Sequence, residues 1–190
     1  IPADIINQLL DAAIRAPSPH NRQPWRFAVI TGDARVALAR AMGDQLRQSL
    51  MLDNVPSANI EVDVARSYQR VTTAPASILA CLTMKDMDHY PDDTRNLLEH
   101  AMAVQAVAAA IENMLLRATE LEIGACWMCA PLFCQDIVKL ILGLPDDWEP
   151  QALITLGYPL DKGKDRKRFE RSEVSLSISD VTKLSSQGLT

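Results

Sequence analysis

The sequence predicts one domain of mixed helix and strand, α+β or α/β in class, with a small central sheet. Three observations predict it. Helical and strand-like hydrophobic periods alternate along the chain with short turns between them. The apolar runs of strand length are few and short. The element order is mixed, with strands separated by one or two helices.

The elements follow in order. Ile5, Ile6, Leu9, Leu10, Ala13 and Ile14 recur at the spacing of an amphipathic helix, which Pro17 and Pro19 end. Residues 25–31 (WRFAVIT) are β-branched and aromatic and read as a strand closed by Gly32-Asp33. Asp33 is the expected N-cap of a second helix through Ala37, Leu38, Met42, Leu46 and Leu50. Residues 58–71 suggest a third helix, and 77–83 (SILACLT) a buried strand. Pro91-Asp92-Asp93 starts the longest helix, over 94–121, which is expected to be central and packed on several sides. It reads either as the core helix of a monomer or, the favoured reading, as a dimer seam that includes Ala106 and Ala110. Residues 125–130 (ACWMCA) read as a short strand, 135–142 as a helix, 145–150 as a turn and 151–156 (QALITL) as a last buried strand. From Asp161 the chain is polar and charged, so residues 1–190 are expected to form a single domain with 161–190 as an extended tail.

Composition narrows the function. Hydrophobic residues make up 48% and charged residues 23% of the 190 positions, ordinary for a globular chain large enough to need no disulfide or metal staple. Nineteen Lys and Arg against 24 Asp and Glu give a net charge of −5, which argues against nucleic-acid binding. No run approaches the roughly 18 uninterrupted apolar residues of a membrane helix, and no basic-then-apolar leader opens the sequence. No membrane partner is expected. Four cysteines do not make a disulfide scaffold, so reduced thiols in a cytoplasmic setting are expected.

Glycine-rich phosphate loops and a Gly-x-Ser-x-Gly elbow are both absent. Cys126-x-x-Cys129, with Cys134 beyond, lacks the second ligand pair of a zinc site and lies in a strand-like run, where Cys126 and Cys129 would point to opposite faces. Buried apolar cysteine is the expected reading. The loop between the first helix and first strand is different in kind. Ser18, His20, Asn21, Arg22 and Gln23 place five hydrogen-bonding side chains in six positions, on a backbone stiffened by Pro17 and Pro19. It reads either as a site for a polyhydroxylated ligand or as a merely structural loop. Lys162, Lys164, Arg166, Lys167, Arg168 and Arg171 concentrate positive charge in an otherwise acidic protein. They read as a solvated basic tail or as a phosphate clamp, in which Arg166 and Arg168 would present two guanidinium forks.

Residues 16–27 (APSPHNRQPWRF) resemble the flavin-binding loop of the nitroreductase-type flavoproteins, commonly Ala-Pro-Ser, then Asn, then Gln-Pro-Trp. Within that superfamily the sequence is most similar to the C-terminal flavin domain of the bifunctional γ-glutamyl ligase of coenzyme F-420. The likeness extends over residues 66–78, Tyr90-Pro91 through Arg95, Glu99-His100, 123–127, 144–150 and Gly157-Tyr158, from Ile1 to about Arg168. The Arg-Arg-Ser-x-Arg motif usual ahead of the loop lies outside this sequence, as does the ligase's catalytic domain.

The resemblance implies an α+β nitroreductase-like fold with a small mixed or antiparallel sheet, a homodimer with exchanged C-terminal tails, and FMN at the subunit interface. By position, Ser18, His20, Asn21 and Gln23 match flavin contacts in the loop. Cys129, with Met128 beside it, falls where a backbone amide approaches the flavin ring. Arg166, with Arg168 as a second, matches a phosphate ligand, and Ser49 falls near a substrate contact. The implied reaction carries hydride from NAD(P)H through the flavin to a small acceptor: a nitroaromatic, quinone, enone or deazaflavin precursor. The flavin carries the chemistry, so no catalytic side chain and no metal are expected. The other reading is a module that binds FMN or a deazaflavin without turnover.

Overall fold

The computed structural model describes residues 1–161, 163 and 166–178. Its order is α1 (Ala3–Ala13), β1 (Trp25–Ile30), α2 (Gly32–Leu52), α3 (Ser57–Thr72), β2 (Ala76–Leu82), α4 (Asp93–Glu120), β3 (Gly124–Met128), α5 (Gln135–Leu142), β4 (Glu149–Gly157) and α6 (Arg171–Val174). Single turns of 3-10 helix cover Pro19–Asn21 and Ala130–Phe133. The four strands form one sheet in the order β1-β2-β4-β3, antiparallel throughout.

β2 is buried at every position, as is β4 between its end residues, because helices cover both faces of the sheet. Alternation along β2 divides its side chains. Ala76, Ile78, Ala80 and Leu82 enter a core with α1 and α4, including Leu9, Val107, Ile111 and Met114. Leu79 and Cys81 enter a second core with Leu38 and Met42 of α2 and Val138 of α5. Each fully buried Leu or Ile contributes roughly 1.5–3 kcal/mol of transfer free energy, so the two central strands anchor both layers. The edge strands are freer: Ala125, Cys126 and Trp127 of β3 are all exposed.

Local chemistry explains the boundaries. Asp92 caps α4 by accepting from the Arg95 amide at 2.9 Å. Asp33 does not cap α2 as expected: the helix starts at Gly32, so Thr31 holds the cap position, without a side-chain hydrogen bond, and Asp33 sits in the first turn. Gly124 and Gly157 pair across β3 and β4, where a Cβ on Gly124 would lie 3.2 Å from the Gly157 carbonyl oxygen. A bulge in the β2–β4 register leaves Gln151 as the extra residue beside Pro150, at the end of the sheet where β1 begins.

α4 is, by length and mean hydropathy, a helix able to cross a membrane, and the fold uses that apolarity in its core. Ala106 and Ala110, expected at a dimer seam, are instead 4% and 0% exposed, packed in the core with α1 and the sheet. The exposed face of α4 carries Leu97, Leu98, Ala101 and Leu116. The helical period places that face roughly half a turn from the buried stripe.

Packing divides the chain into Ile1–Pro159 and Leu160–Thr190. In the second unit, α6 is closed by a capping box in which the Glu170 amide donates to Glu173 at 2.8 Å. Lys162 and Lys164 lie outside the described residues.

Candidate functional site

The loop ahead of β1 is rigid. Ala16 precedes Pro17, which disfavours helix there, and α1 stops before it. His20, Asn21 and Gln23 all take left-handed backbone, at φ 47°, 56° and 52°. Asn tolerates that region; for His and Gln it costs on the order of 1–2 kcal/mol each. The surroundings enforce it. The Ser18 hydroxyl oxygen accepts from the Gln23 amide at 3.0 Å, and Arg26 donates to the Gln23 carbonyl at 3.1 Å. Arg22 pairs with Asp88 at 2.5 Å, and the Thr83 amide donates to the Pro24 carbonyl at 2.9 Å. The side chains of His20, Asn21 and Gln23 stay exposed.

The segment that contains Asp88 is itself tied to α4. Asn96 exchanges two hydrogen bonds with the Tyr90 backbone, at 2.8 and 2.9 Å, and the Tyr90 hydroxyl lies 3.4 Å from the buried Glu99 carboxylate. Burial, and then the charge of Glu99, push the Tyr90 phenol up from its ordinary range. One turn on, His100 meets Glu149 at 2.9 Å.

Met128 and Cys129 lie elsewhere. β1 and β3 are opposite edges of the sheet, so about three strand spacings, roughly 14 Å, separate them within one chain. β3 ends at Met128 rather than at Ala130 as expected. Pro131 lacks a ladder donor, and the chain turns into the 3-10 helix there. Alternation therefore stops before Cys129, and Cys126 and Cys129 border the same cavity, exposed rather than buried and not on opposite faces. Three residues at strand extension span about 10 Å, beyond the reach of a disulfide. Cys81 and Cys134 are the buried thiols, and burial pushes Cys81 up to about 12.

Two adjoining cavities open at this edge. One, of about 260 Å³, is lined by Met42, Leu46, Ser49, Leu50, Phe133 and Asp53 among others. Ser49 is half-buried there and its hydroxyl donates to the Gln45 carbonyl at 3.1 Å. The other, of about 340 Å³, has Arg66, Arg70, Trp127, Met128 and Cys129 in its wall. Leu46, Leu50, Ser67 and Ala130 line both. Arg66 and Arg70, missed as site residues by the sequence reading, are legible only as a pair spaced i, i+4 on α3. Arg166 and Arg168 are exposed in the extended stretch ahead of α6. Among the described residues no cluster suits a metal ion.

The structure therefore gathers Ser18, His20, Asn21 and Gln23 at one edge, and Ser49, Met128 and Cys129 at the other. Comparison with known proteins gives this arrangement a setting. The sequence pattern of the nitroreductase family matches residues 1–158. An Archaeoglobus fulgidus protein, provisionally named an NADH dehydrogenase/NAD(P)H nitroreductase, is 30% identical over 170 residues, 88% of this chain and 78% of its own. Among solved structures, a BluB-like flavoprotein from Clostridium difficile superposes with a TM-score of 0.75 at 23% identity, over 94% of this chain and 90% of that one. The FMN-dependent nitroreductase from Mycobacterium smegmatis, solved in complex with NADPH, gives 0.71 at 18% identity over the same shares. The fold is nitroreductase-like.

Proposed function

The chain belongs to the nitroreductase family, and from that premise we propose that it is an FMN-dependent oxidoreductase passing hydride from NAD(P)H to a small organic acceptor. The observation that carries this reading is the Ser18–Gln23 loop, which holds three non-glycine residues left-handed and keeps their polar side chains exposed. Backbone strain of this kind persists where a site needs it. The donor set suits FMN: a hydroxyl, two amides and an imidazole for the polyol and ring, and guanidinium groups for the phosphate. When bound, FMN supplies the two-electron chemistry, and the protein supplies binding, orientation and electrostatics.

The residues then take these roles. Ser18, already accepting from Gln23, keeps its hydroxyl hydrogen for a ligand oxygen. His20, Asn21 and Gln23 hold the cofactor's polar groups. Arg166 and Arg168 bind the phosphate. Met128 and the Cys129 backbone border the ring, and Ser49 faces the acceptor. Because the loop and Met128–Cys129 occupy opposite edges of one sheet, a flavin touching both sets needs two copies, the loop of one meeting the β3 edge of the other. The apolar exposed face of α4, with Leu97, Leu98 and Leu116, supports such a homodimer. For the acceptor, the residue likeness to the F-420 ligase flavin domain favours a deazaflavin precursor, on the quoted residues alone.

The test is direct. Purified protein incubated with FMN and desalted is expected to keep an absorbance near 450 nm, from the cofactor's own chromophore. It is also expected to oxidise NADH or NADPH when a nitroaromatic or quinone is added. Flavin retention without turnover would replace this reading with a binding module, and no retention would end both.

A further inference from the structure

The two cavities at the β3 edge form one trough with unequal ends. Met42, Phe133 and Cys134 make one end apolar, and Asp53 is the charged group there; Leu46 and Leu50 run between the two ends. At the other end Asp63, Arg66 and Arg70 of α3 line the same cavity as Trp127 of β3, a residue 37% exposed. Asp63 is ion-paired with Arg66. Arg70, one helical turn on, has no carboxylate within salt-bridge distance among the described residues and is exposed. An anion is repelled by Asp53 at the apolar end and attracted at the Arg70 end, so the trough fixes the direction of an amphiphilic guest. An exposed indole in the same cavity wall as the guanidinium offers a face for a flat ring. The cavity at the Arg70 end, about 340 Å³, is in the range of small-molecule sites, and the adjoining one adds about 260 Å³.

We infer that this trough takes a planar, largely apolar molecule bearing one anionic group, carboxylate or phosphate, which Arg70 engages while Trp127 stacks on the ring. The inference rests on the trough being the substrate side of the proposed oxidoreductase and names the substrate class for it. Two sources share this chemistry, a carboxylate on the acceptor and the extra phosphate of NADPH.

Equilibrium binding of 2-naphthoate and its neutral counterpart 2-naphthamide to the full chain, read by calorimetry and tryptophan fluorescence, separates charge from shape. Wild type is expected to prefer the naphthoate by roughly 3- to 10-fold at low salt, the size of one partly exposed charge-assisted contact, and less at high salt. Arg70→Gln, at an exposed helix position, should remove the preference. Arg15→Gln, the same charge change at an exposed position in the turn after α1, should keep it. Trp127→Phe should abolish most of the fluorescence response. Parallel titrations with NADPH and NADH identify the source. Loss of NADPH preference in Arg70→Gln places the donor's phosphate at Arg70, and loss of the naphthoate preference alone places the acceptor's carboxylate there. Equal affinities within both ligand pairs in wild type, or preferences that survive Arg70→Gln, would overturn the inference. None of these titrations needs turnover, so they stay readable if the flavin chemistry fails.

Discussion

The two edges of the sheet solve opposite problems with the same starting material, a short strand with one open side. At the β1 edge the chain spends hydrogen bonds and ion pairs on fixing a loop: Ser18 to Gln23, Arg26 to the Gln23 carbonyl and Arg22 to Asp88. At the β3 edge it fixes little, leaving Cys126 and Trp127 exposed over cavities walled by α2 and α3. One edge is polar and strained, the other apolar and open. A ligand with a polyol and a flat ring needs both characters, and one chain holds them on opposite sides. The contrast is thus an argument about assembly as well as about binding.

The largest expected effect contrasts the open edge with the buried centre. A thiol reagent should modify Cys126 and Cys129 readily in the native, flavin-free protein and Cys81 only on unfolding. Burial holds Cys81 near 12 against an ordinary 9.0, which leaves roughly a thousandth of the usual thiolate. Mass spectrometry after timed labelling reads the sites directly, and fast labelling of Cys81 would contradict the central placement of β2.

Next, the proposed pairing of edges by a second copy is tested on α4. Leu98→Arg with Leu116→Arg, both at exposed positions, should convert a dimer to a 21.0 kDa monomer by light scattering. It should lower FMN affinity at least about 30-fold, the scale of losing an interface hot spot. A wild-type protein that is already monomeric and still retains FMN would show that one chain suffices.

Arg166→Ala tests the phosphate contact and should cost FMN roughly tenfold while leaving riboflavin, which lacks the phosphate, nearly unchanged. Equal losses for the two ligands would remove Arg166 from that role. Ser18→Ala releases the Gln23 amide and should weaken both flavins about 2- to 12-fold, corresponding to roughly 0.5–1.5 kcal/mol for a neutral hydrogen bond. Unchanged affinity would mean that the loop is held without it.

The smallest effect concerns pH. The Arg95 amide, and then its side chain, hold the Asp92 carboxyl below the usual carboxylate range. A depressed folded value favours the ionised form, so this stabilisation is present above the ordinary carboxylate range and is lost as pH falls through the folded value. The gap in melting temperature between wild type and Asp92→Asn should therefore be widest near neutral pH and should close in acid. A gap that widens in acid would reverse the assignment.

Much of this was legible in residues. The periodicity of Ile5 to Ile14, the apolar run of β2 and the Asp92 cap each depend on neighbours within a turn or two, and their elements formed as expected. The loop stood out because five polar side chains between prolines serve no ordinary connection. What was misread turned on distant partners. Ala106 and Ala110 look like a seam until α1 and the sheet cover them. Cys126 and Cys129 look buried until Pro131 ends their strand at an uncovered edge. Arg70 gains meaning only in the cavity it shares with Trp127, 57 positions further along the chain.

The sequence by itself determined which segments are helix or strand and where polar groups crowd a stiffened backbone, because hydrophobic period, capping and proline restriction act locally. Only the tertiary structure decided the strand order β1-β2-β4-β3. That order separates the loop from Met128 and Cys129, and the packing of α3 brings Arg70 to the wall of the cavity that Trp127 also lines. Which strands pair is settled by burial summed over both faces of the sheet, a quantity that no single stretch of sequence carries.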